Sequence, residues 1–516
     1  VYALESLGAF AGGVAFTFLF VGRAHPIEIA FSLGALSMGC ALLLIRSARG
    51  RQVSCETEDR GARTHSVLVA VCMLLVGFFL VGAVSPLGDR IQRWATQKKW
   101  SPLGLKESGE SIYGNIAVLE LGDQLMLYQN GIPTITLPYP DAAAVETLVH
   151  LPLLGHADPQ EVLVLGGGLG GVVAEALKHP LETLYYTELD PLLIRMTEQY
   201  ATPLVRLELG NSRTRILYED GRFFLRKTKL RFDVAIINLP EAATLQLNRF
   251  FTKEFFRLVR RHLRPGGLLA LSMPGSSSYL SPEIVRMSRC VWDTLEEVFP
   301  YVRPLPGERI LFLASRDVPV DSLLPGLLAA RLEKRGVETS VIRPYQLSYV
   351  MDPWQGRWLR EALQGDVGTR TNRDLSPSLM YYTLAYKNAE VQPGLRGVFP
   401  VVERIRFRVI LVVLLLLNLP FALWAFRRKA DRTPALSFAI LSTGFVGMAM
   451  ELVIILTFQS VYGYLYQWIG FLIAAFMAGL GCGAFLMTQM SGRIRDGYRI
   501  FWLLECLQLG FLLVSA

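Results

Sequence analysis

Glu161-Val-Leu-Val-Leu-Gly-Gly-Gly-Leu-Gly-Gly171, taken together with Tyr185-Tyr-Thr-Glu-Leu-Asp190, is the segment from which the rest of the chain can be read. An apolar strand over Val162 to Leu165 runs into a glycine-rich turn. A helix over Val172 to Lys178 follows, then a second strand ending at Glu188. Glycines let the backbone turn tightly and approach a ligand closely, and the start of a helix presents free N–H groups. An acidic residue about 20 positions after such glycines suits a pair of ribose hydroxyls. The glycines alone would mark any tight turn. Strand, glycines, helix, strand and acid in that order predict a nucleoside-binding, doubly wound domain.

The pattern extends both ways. Residues 160–315 alternate strands and helices, with further strands at Ile216 to Tyr218, Val234 to Ile237 and Leu268 to Leu271. Pro265-Gly266-Gly267 makes the turn into the last of them. Upstream, residues 111–137 alternate apolar and polar and turn at Asn130-Gly131, which predicts a hairpin-rich β lobe. Downstream, 318–400 is less regular. Val320 to Lys334 reads as an amphipathic helix, and Asn372-Arg-Asp-Leu-Ser-Pro377 as a turn.

The 516 residues are 52% hydrophobic and 19% charged, with a mean hydropathy of +0.35. That is too apolar for an ordinary soluble enzyme and too charged for a membrane bundle alone, so membrane segments around a soluble domain are expected. Apolar runs of spanning length lie at 7–22, 27–45, 66–84, 409–426, 434–458, 465–490 and 500–516. The first residue is Val1 and the last run ends at Ala516, which suggests a fragment. Gly8 and Gly12, and Gly479 and Gly483, have the spacing of close helix packing.

The net charge of +8 gathers beside the apolar runs, as membrane orientation requires, and not on one soluble face as in nucleic-acid binding. The loop 46–65 carries five arginines; Arg427, Arg428, Lys429 and Arg432 follow the fourth run, and Arg493, Arg495 and Arg499 the sixth. The alternate connections are poor in positive charge. This alternation puts the basic loops in the cytoplasm and the large domain outside. Arg90, Arg93, Lys98, Lys99, Arg404, Arg406 and Arg408 flank the domain and argue the other way. Of the six cysteines, Cys55 and Cys290 lie outside the apolar runs, and no disulfide framework or metal constellation is visible. Glu451, inside an apolar run, reads either as part of a proton, cation or polyamine path or as an interhelical hydrogen bond.

Several segments together resemble the spermidine synthase (polyamine aminopropyltransferase) family. They are Glu110-Ser-Ile-Tyr-Gly-Asn-Ile116, Glu146, Leu151-Pro-Leu-Leu-Gly-His156, Val162 to Gly171, Glu188-Leu-Asp190, Asp220-Gly221, Asp233-Val-Ala-Ile-Ile237 and Leu263-Arg-Pro-Gly-Gly267. The match covers roughly 105–315. The flanking apolar runs, and Asn372-Arg-Asp with Pro377 and Tyr381, resemble the bacterial membrane-fused branch. The resemblance implies a Rossmann-like, class I methyltransferase-like parallel sheet behind a small β lobe. It implies aminopropyl transfer from decarboxylated S-adenosylmethionine to putrescine. Such chemistry needs carboxylates to hold two cations, accept a proton and fix the in-line geometry.

The chain departs from the family where charge is needed. The glycine-loop aspartate that holds the aminopropyl ammonium is here Leu169, and the aspartate ending the later strand, the family's base, is Asn238. The family's Asp-Glu-x-x-Tyr-His-Glu reads Pro140-Asp-Ala-Ala-Ala-Val-Glu146, so the Tyr and His positions are Ala144 and Val145. By resemblance, Gly166, Gly167, Gly168, Leu169, Gly170, Glu188, Asp220 and Gly221 line the nucleoside site. Asp141 and Glu146 bind substrate, and Asn238 and Glu241 stand at the catalytic positions. Glu188 and Asp220 could equally cap helices, Glu146 could be a solvated helix residue, and Asp190 before Pro191 reads as an N-cap.

The expected architecture is therefore a multi-pass α-helical membrane protein with an inserted α/β domain. It divides into transmembrane helices (1–87), β lobe (88–158), Rossmann-like domain (159–317), extension (318–405) and further transmembrane helices (406–516). The expected ligand is decarboxylated S-adenosylmethionine or a related adenosine thioether, with no metal and no nucleic acid. Conventional transfer is doubtful. The alternative is a non-catalytic polyamine- or nucleoside-binding, transport or scaffolding module. Expected partners are the lipid bilayer, a membrane complex or a second copy of the chain, and the expected location is the cell membrane.

Overall fold

The structure is a computed structural model. It describes residues 2–20, 26–49, 58–101, 103–200, 202–365, 368–392, 433–463 and 466–490, with scattered residues from 394 to 420 and from 503 to 510. The side chains of the basic loop 46–65 (Cys55 included), Arg404, Arg406, the basic segments 427–432 and 493–499, and most of the runs 409–426 and 500–516 lie outside the described residues.

The chain divides into two compact units, Val1–Val84 with Leu465–Ala516, and Ser85–Tyr464. The first begins with α1 (Tyr2–Ala15), which continues as a π-helical turn over Phe16–Phe20, then α2 (Pro26–Arg49) and α3 (Glu58–Val84). Helix α3 starts inside the stretch expected as a loop.

The second unit opens with α4 (Leu87–Lys99) and a four-stranded antiparallel sheet, β1 (Leu105–Ser111), β2 (Gly114–Leu121), β3 (Gln124–Gln129) and β4 (Ile132–Leu137). Asn130 and Gly131 both have positive φ (53° and 83°), the two-residue turn that the sequence predicted. Next comes α5 (Ala142–Gly155). It falls inside the range expected for the β lobe, but it packs on strands of the larger sheet.

That sheet follows as β5 (Glu161–Leu165), α6 (Val172–Leu177), β6 (Thr183–Thr187), α7 (Pro191–Gln199), α8 (Pro203–Gly210), β7 (Thr214–Leu217), α9 (Gly221–Lys227) and β8 (Phe232–Ile237). It continues as α10 (Leu245–Asn248), α11 (Lys253–His262), β9 (Leu263–Pro274), α12 (Pro282–Glu296), β10 (Tyr301–Leu305) and β11 (Arg309–Ser315). The order is β10-β11-β9-β8-β5-β6-β7. Strands β7, β6, β5, β8 and β9 are parallel, and β11 runs against β9. This is the methyltransferase-like sheet. Strand β9 is longer than expected, because Pro265-Gly266-Gly267 is taken up between the pairs Phe232↔Leu263 and Val234↔Leu268.

Alternation along β5 builds the two cores. Val162 and Val164 enter the apolar cluster on one face, Leu163 and Leu165 the cluster on the other. The extension covers both faces with α13 (Pro325–Arg335), α14 (Pro344–Val350), α15 (Pro353–Gln364) and α16 (Ser378–Val391). The helix expected over Val320 to Lys334 is a single 3-10 turn, Val320–Ser322, and then α13, because Pro325 favours a first helical position. Its Arg331 and Arg335 close the far end of α5. Arg331 Nη1 donates to Leu154 O and Gly155 O (2.7 Å each), and Arg335 donates to Leu153 O, His156 O and Ala157 O (2.7–2.8 Å). These carbonyls have no partner inside a helix.

A buried relay fixes α5 to α6. The Arg335 guanidinium can only donate, so His179 Nδ1 accepts (3.4 Å). His179 Nε2 then donates to His150 Nδ1 (2.9 Å), and His150 Nε2 to Glu175 (3.1 Å). Burial, then the neighbouring His150, Arg335 and Lys178, push His179 down from 6.5 to about 2. Below pH 6.5 the unfolded chain binds a proton that the folded chain refuses, so this site costs stability on acidification. The slope approaches about 1.4 kcal/mol per pH unit, or up to about 2 kcal/mol between pH 6.5 and 5. Glu208, raised to about 7 by burial, titrates in the opposite sense over the same window. Comparison with His179→Gln isolates the histidine. The wild-type unfolding midpoint should drop several degrees more than the variant's between pH 7 and pH 5; equal drops would contradict the relay.

The chain continues with α17 (Thr433–Tyr462), still in the second unit, and α18 (Tyr466–Met490) in the first. In the first unit α1 packs on α18, and α2 on α3. The close approaches are not at Gly8, Gly12, Gly479 or Gly483, where a Cβ would meet no described atom within 4 Å. They fall on Gly13, beside Ala474, and on Gly481, beside Ser6; Gly34 and Gly82 receive the rings of Phe79 and Phe31. Five helices among the described residues are long and apolar enough to cross a membrane: Ala3–Phe20, Ile27–Ile45, Ser66–Val84, Ile440–Tyr462 and Trp468–Met490.

Candidate functional site

The ends of β5 and β8, adjacent strands whose following connections run to opposite sides of the sheet (to β6 and to β9), form the crevice in which doubly wound sheets take ligands. Gly166, Gly167, Gly170 and Gly171 have φ of 71°, 52°, 82° and 113°, which a side chain would strain. A Cβ at Gly168 would come within 2.6 Å of the Tyr186 ring. The amides just before α6 are not free, contrary to expectation. Gly170 N–H and Gly171 N–H donate to the two oxygens of Glu208 on α8 (3.1 and 2.7 Å), a buried carboxylate.

Glu188 stands one residue beyond β6 and is 6% exposed. Tyr186 Oη donates to one carboxylate oxygen (2.8 Å) and Asp190 N–H to the other (3.2 Å). Burial raises its pKa, opposed by these donors. Each oxygen keeps lone-pair capacity for a hydroxyl. Asp190 is the N-cap of α7, accepting from Leu192 N–H. Asp220 is the N-cap of α9, with Oδ1 accepting from Phe223 N–H (2.9 Å) and Oδ2 from Arg249 Nη1 (3.2 Å). A Cβ at Gly221 would meet Leu165 Cδ2 at 2.6 Å, so glycine lets α9 start against the strand ends.

These groups line a cavity of about 140 Å³. Gly166, Gly167, Glu188, Asp220 and Gly221 all face it. The β lobe closes it with Tyr113, Gln129 and Asn130, and the segment after β8 with Leu239, Pro240, Leu247 and Phe250. Burial, then the carboxylates of Asp190 and Asp220, raise the Tyr113 pKa. Sequence reasoning missed Gln129, Glu208 and Arg249. Gln129 immediately precedes the Asn130-Gly131 turn and could have been found there; no motif marks the other two.

The remaining expected site residues lie elsewhere. Leu169 is 2% exposed and belongs to the apolar core beneath the loop. Gly168 and Gly170 are not among the cavity's lining residues. Asn238 donates through Nδ2 to Gly167 O (2.7 Å) and ties the glycine loop to the end of β8. Glu241 pairs with Arg309 (3.5 Å) and Lys387 (3.6 Å). Asp141 caps α5 and lines a second cavity of about 330 Å³ together with Glu308 and Arg309.

Glu146 is neither a solvated helix residue nor placed to meet an amine. It is 1% exposed and accepts from the N–H groups of Ser340, Val341 and Ile342, each at 2.8 Å. Among the described residues no group of three or more His, Cys, Asp or Glu is placed to hold a metal ion.

Residues 142–307 match the family model of the spermine/spermidine synthase domain. A polyamine aminopropyltransferase of Nitrosomonas europaea is 32% identical over 196 residues, 37% of this chain and 60% of the relative. One of Oceanobacillus iheyensis is 29% identical over 268 residues, 51% of this chain and 49% of the relative. One of Leptospira interrogans is 26% identical over 309 residues, 59% and 58%. The chain thus spans between about half and three-fifths of the length of these relatives. Among solved structures, a spermidine synthase from Thermotoga maritima is 24% identical, with a TM-score of 0.42 over 50% of this chain and 87% of that one.

Proposed function

We propose, from the match of residues 142–307 to the spermine/spermidine synthase domain, that the chain is a membrane-embedded binder of an adenosine thioether. Decarboxylated S-adenosylmethionine and methylthioadenosine share the part that the cavity suits. The observation that carries this reading is Glu188, a buried carboxylate facing the cavity with lone pairs left for the ribose hydroxyls. Asp220 lines the same cavity, and Gly166 and Gly167 keep side chains out of the way.

The amine half does not fit. Leu169 is apolar and packed inward, Asn238 spends its amide on Gly167 O, and Glu241 is neutralised by two cations. No aminopropyl-transfer step follows from these side chains. A multi-pass location in the cell membrane, with the large domain outside, is supported by the five apolar helices and by the loop charges.

Calorimetric titration of the full chain in detergent tests the reading. Methylthioadenosine should bind, and decarboxylated S-adenosylmethionine should bind no more tightly, because Leu169, Asn238 and Glu241 are not placed to pair its ammonium. Glu188→Gln should weaken both by about 10- to 100-fold, as expected for the loss of charge-assisted hydrogen bonds of about 1.5–3 kcal/mol. A wild-type chain that binds neither compound, or a variant that binds them equally well, would overturn it.

A further inference from the structure

Asp220 faces the cavity, but its position is not set by the sheet alone. Its Oδ2 accepts from Arg249 Nη1 at 3.2 Å, and the other terminal nitrogen of the same guanidinium donates to Val461 O at 3.2 Å. Val461 is the penultimate residue of α17, one of the five helices long and apolar enough to cross a membrane. Carbonyls at a helix C-terminus lack intrahelical partners and carry partial negative charge, so a guanidinium is a fitting partner for them. Arg249 is 2% exposed, and its Nε has no partner among the described residues. Burial lowers it to about 10, so it stays charged at neutral pH.

A second contact runs the same way. Helix α10 packs against α17, and Thr244, Gln246 and Leu247, at its start and along it, line the cavity. The backbone of Arg249 is also held, since its carbonyl accepts from Arg222 Nη1 at 3.0 Å, and Arg222 pairs with Asp374 of the extension. One side of the guanidinium is thus anchored in the domain while the other follows the end of α17.

We propose that Arg249 is a positioning residue through which the C-terminal end of α17 sets the Asp220 carboxylate, so that nucleoside binding depends on where that helix end sits. A guanidinium is planar and rigid, and its two donors cannot be aimed independently. Displacing Val461 therefore turns Nη1 away from Asp220 and leaves that carboxylate with a single amide donor. The proposal rests on the reading of the cavity as a nucleoside site.

Gly463 offers a way to disturb the link without touching the cavity. It has φ 87°, and a Cβ there would lie 1.8 Å from Arg249 Nη1. The probe is methylthioadenosine, titrated into the full chain in nanodiscs. Gly463→Ala should weaken binding by roughly 5- to 20-fold, less than a full charged hydrogen bond because Asp220 keeps its Phe223 donor. In an Asp220→Asn background the same change should alter affinity less than about twofold, because interacting sites are not additive. Arg249→Lys, which keeps the charge but cannot serve both partners, should weaken binding similarly and be insensitive to Gly463→Ala.

Strain at Gly463 alone would lower the unfolding midpoint and affect both Asp220 backgrounds equally, which overturns the proposal. Unchanged affinity in Gly463→Ala overturns it while leaving the nucleoside reading intact. A wild-type chain that binds no methylthioadenosine overturns both.

Discussion

Leu169→Asp is expected to destabilise the second unit by several kcal/mol and to yield no aminopropyl transfer to putrescine. This substitution restores the residue that the family carries in its glycine loop, so intuition favours a gain of activity. The packing argues otherwise. Leu169 is 2% exposed and shares an apolar cluster with Val172 and Tyr186. Removing its side chain forfeits about 2–3 kcal/mol of apolar burial. An unpaired carboxylate in the same place adds a further cost of several kcal/mol unless it takes up a proton. For a domain of this size each kcal/mol lowers the unfolding midpoint by about 2–4 °C, so a drop of roughly 10 °C or more should appear in thermal unfolding of the full chain. An unchanged midpoint with measurable turnover of decarboxylated S-adenosylmethionine would show that the loop faces the ligand after all.

Glu146→Ala should be as damaging, for a different reason. Its carboxylate is the acceptor for three consecutive amides, Ser340, Val341 and Ile342. Each buried donor left without a partner costs about 1–3 kcal/mol. Local relaxation will recover part of that sum, so about 3–5 kcal/mol is expected, with Glu146→Gln intermediate because one carbonyl oxygen replaces two. The loss is local first. The segment between α13 and α14 should become the preferred site of limited proteolysis, while the methylthioadenosine affinity of the intact chain stays within about twofold. A cost under about 1 kcal/mol, or cleavage elsewhere, would count against this account.

What could be read from the sequence was whatever is determined by neighbours along the chain. Strand β5, its glycines, α6 and Glu188 form one local pattern, and the structure keeps that order with Glu188 facing the cavity. Asp190 is an N-cap because Pro191 follows it, again a local rule. The misses are long-range. Nothing near Glu146 announces that residues 340–342 will claim it, nor near Gly170 that Glu208 will take its amide. Leu169 aligns with the amine-holding position of the family, but tertiary packing turns it inward. The spacing of glycines in the apolar runs does not say which helix face meets a neighbour; Gly13 and Gly481 are set by the partner, not by the repeat.

The two arginines of α13 on the exposed carbonyls of α5 bear on how the protein is made. The carbonyls belong to residues 153–157, whereas their donors come 176–182 positions later. Ribosomes add about 5–20 residues per second, so α5 emerges on the order of 10–40 seconds before its terminal partners exist. Throughout that interval the newborn sheet has an unfinished layer. Translation that stalls or stops between the last strand and α13 releases a polypeptide carrying the whole seven-stranded sheet but lacking the donors that complete it, a ready client for chaperones and proteases.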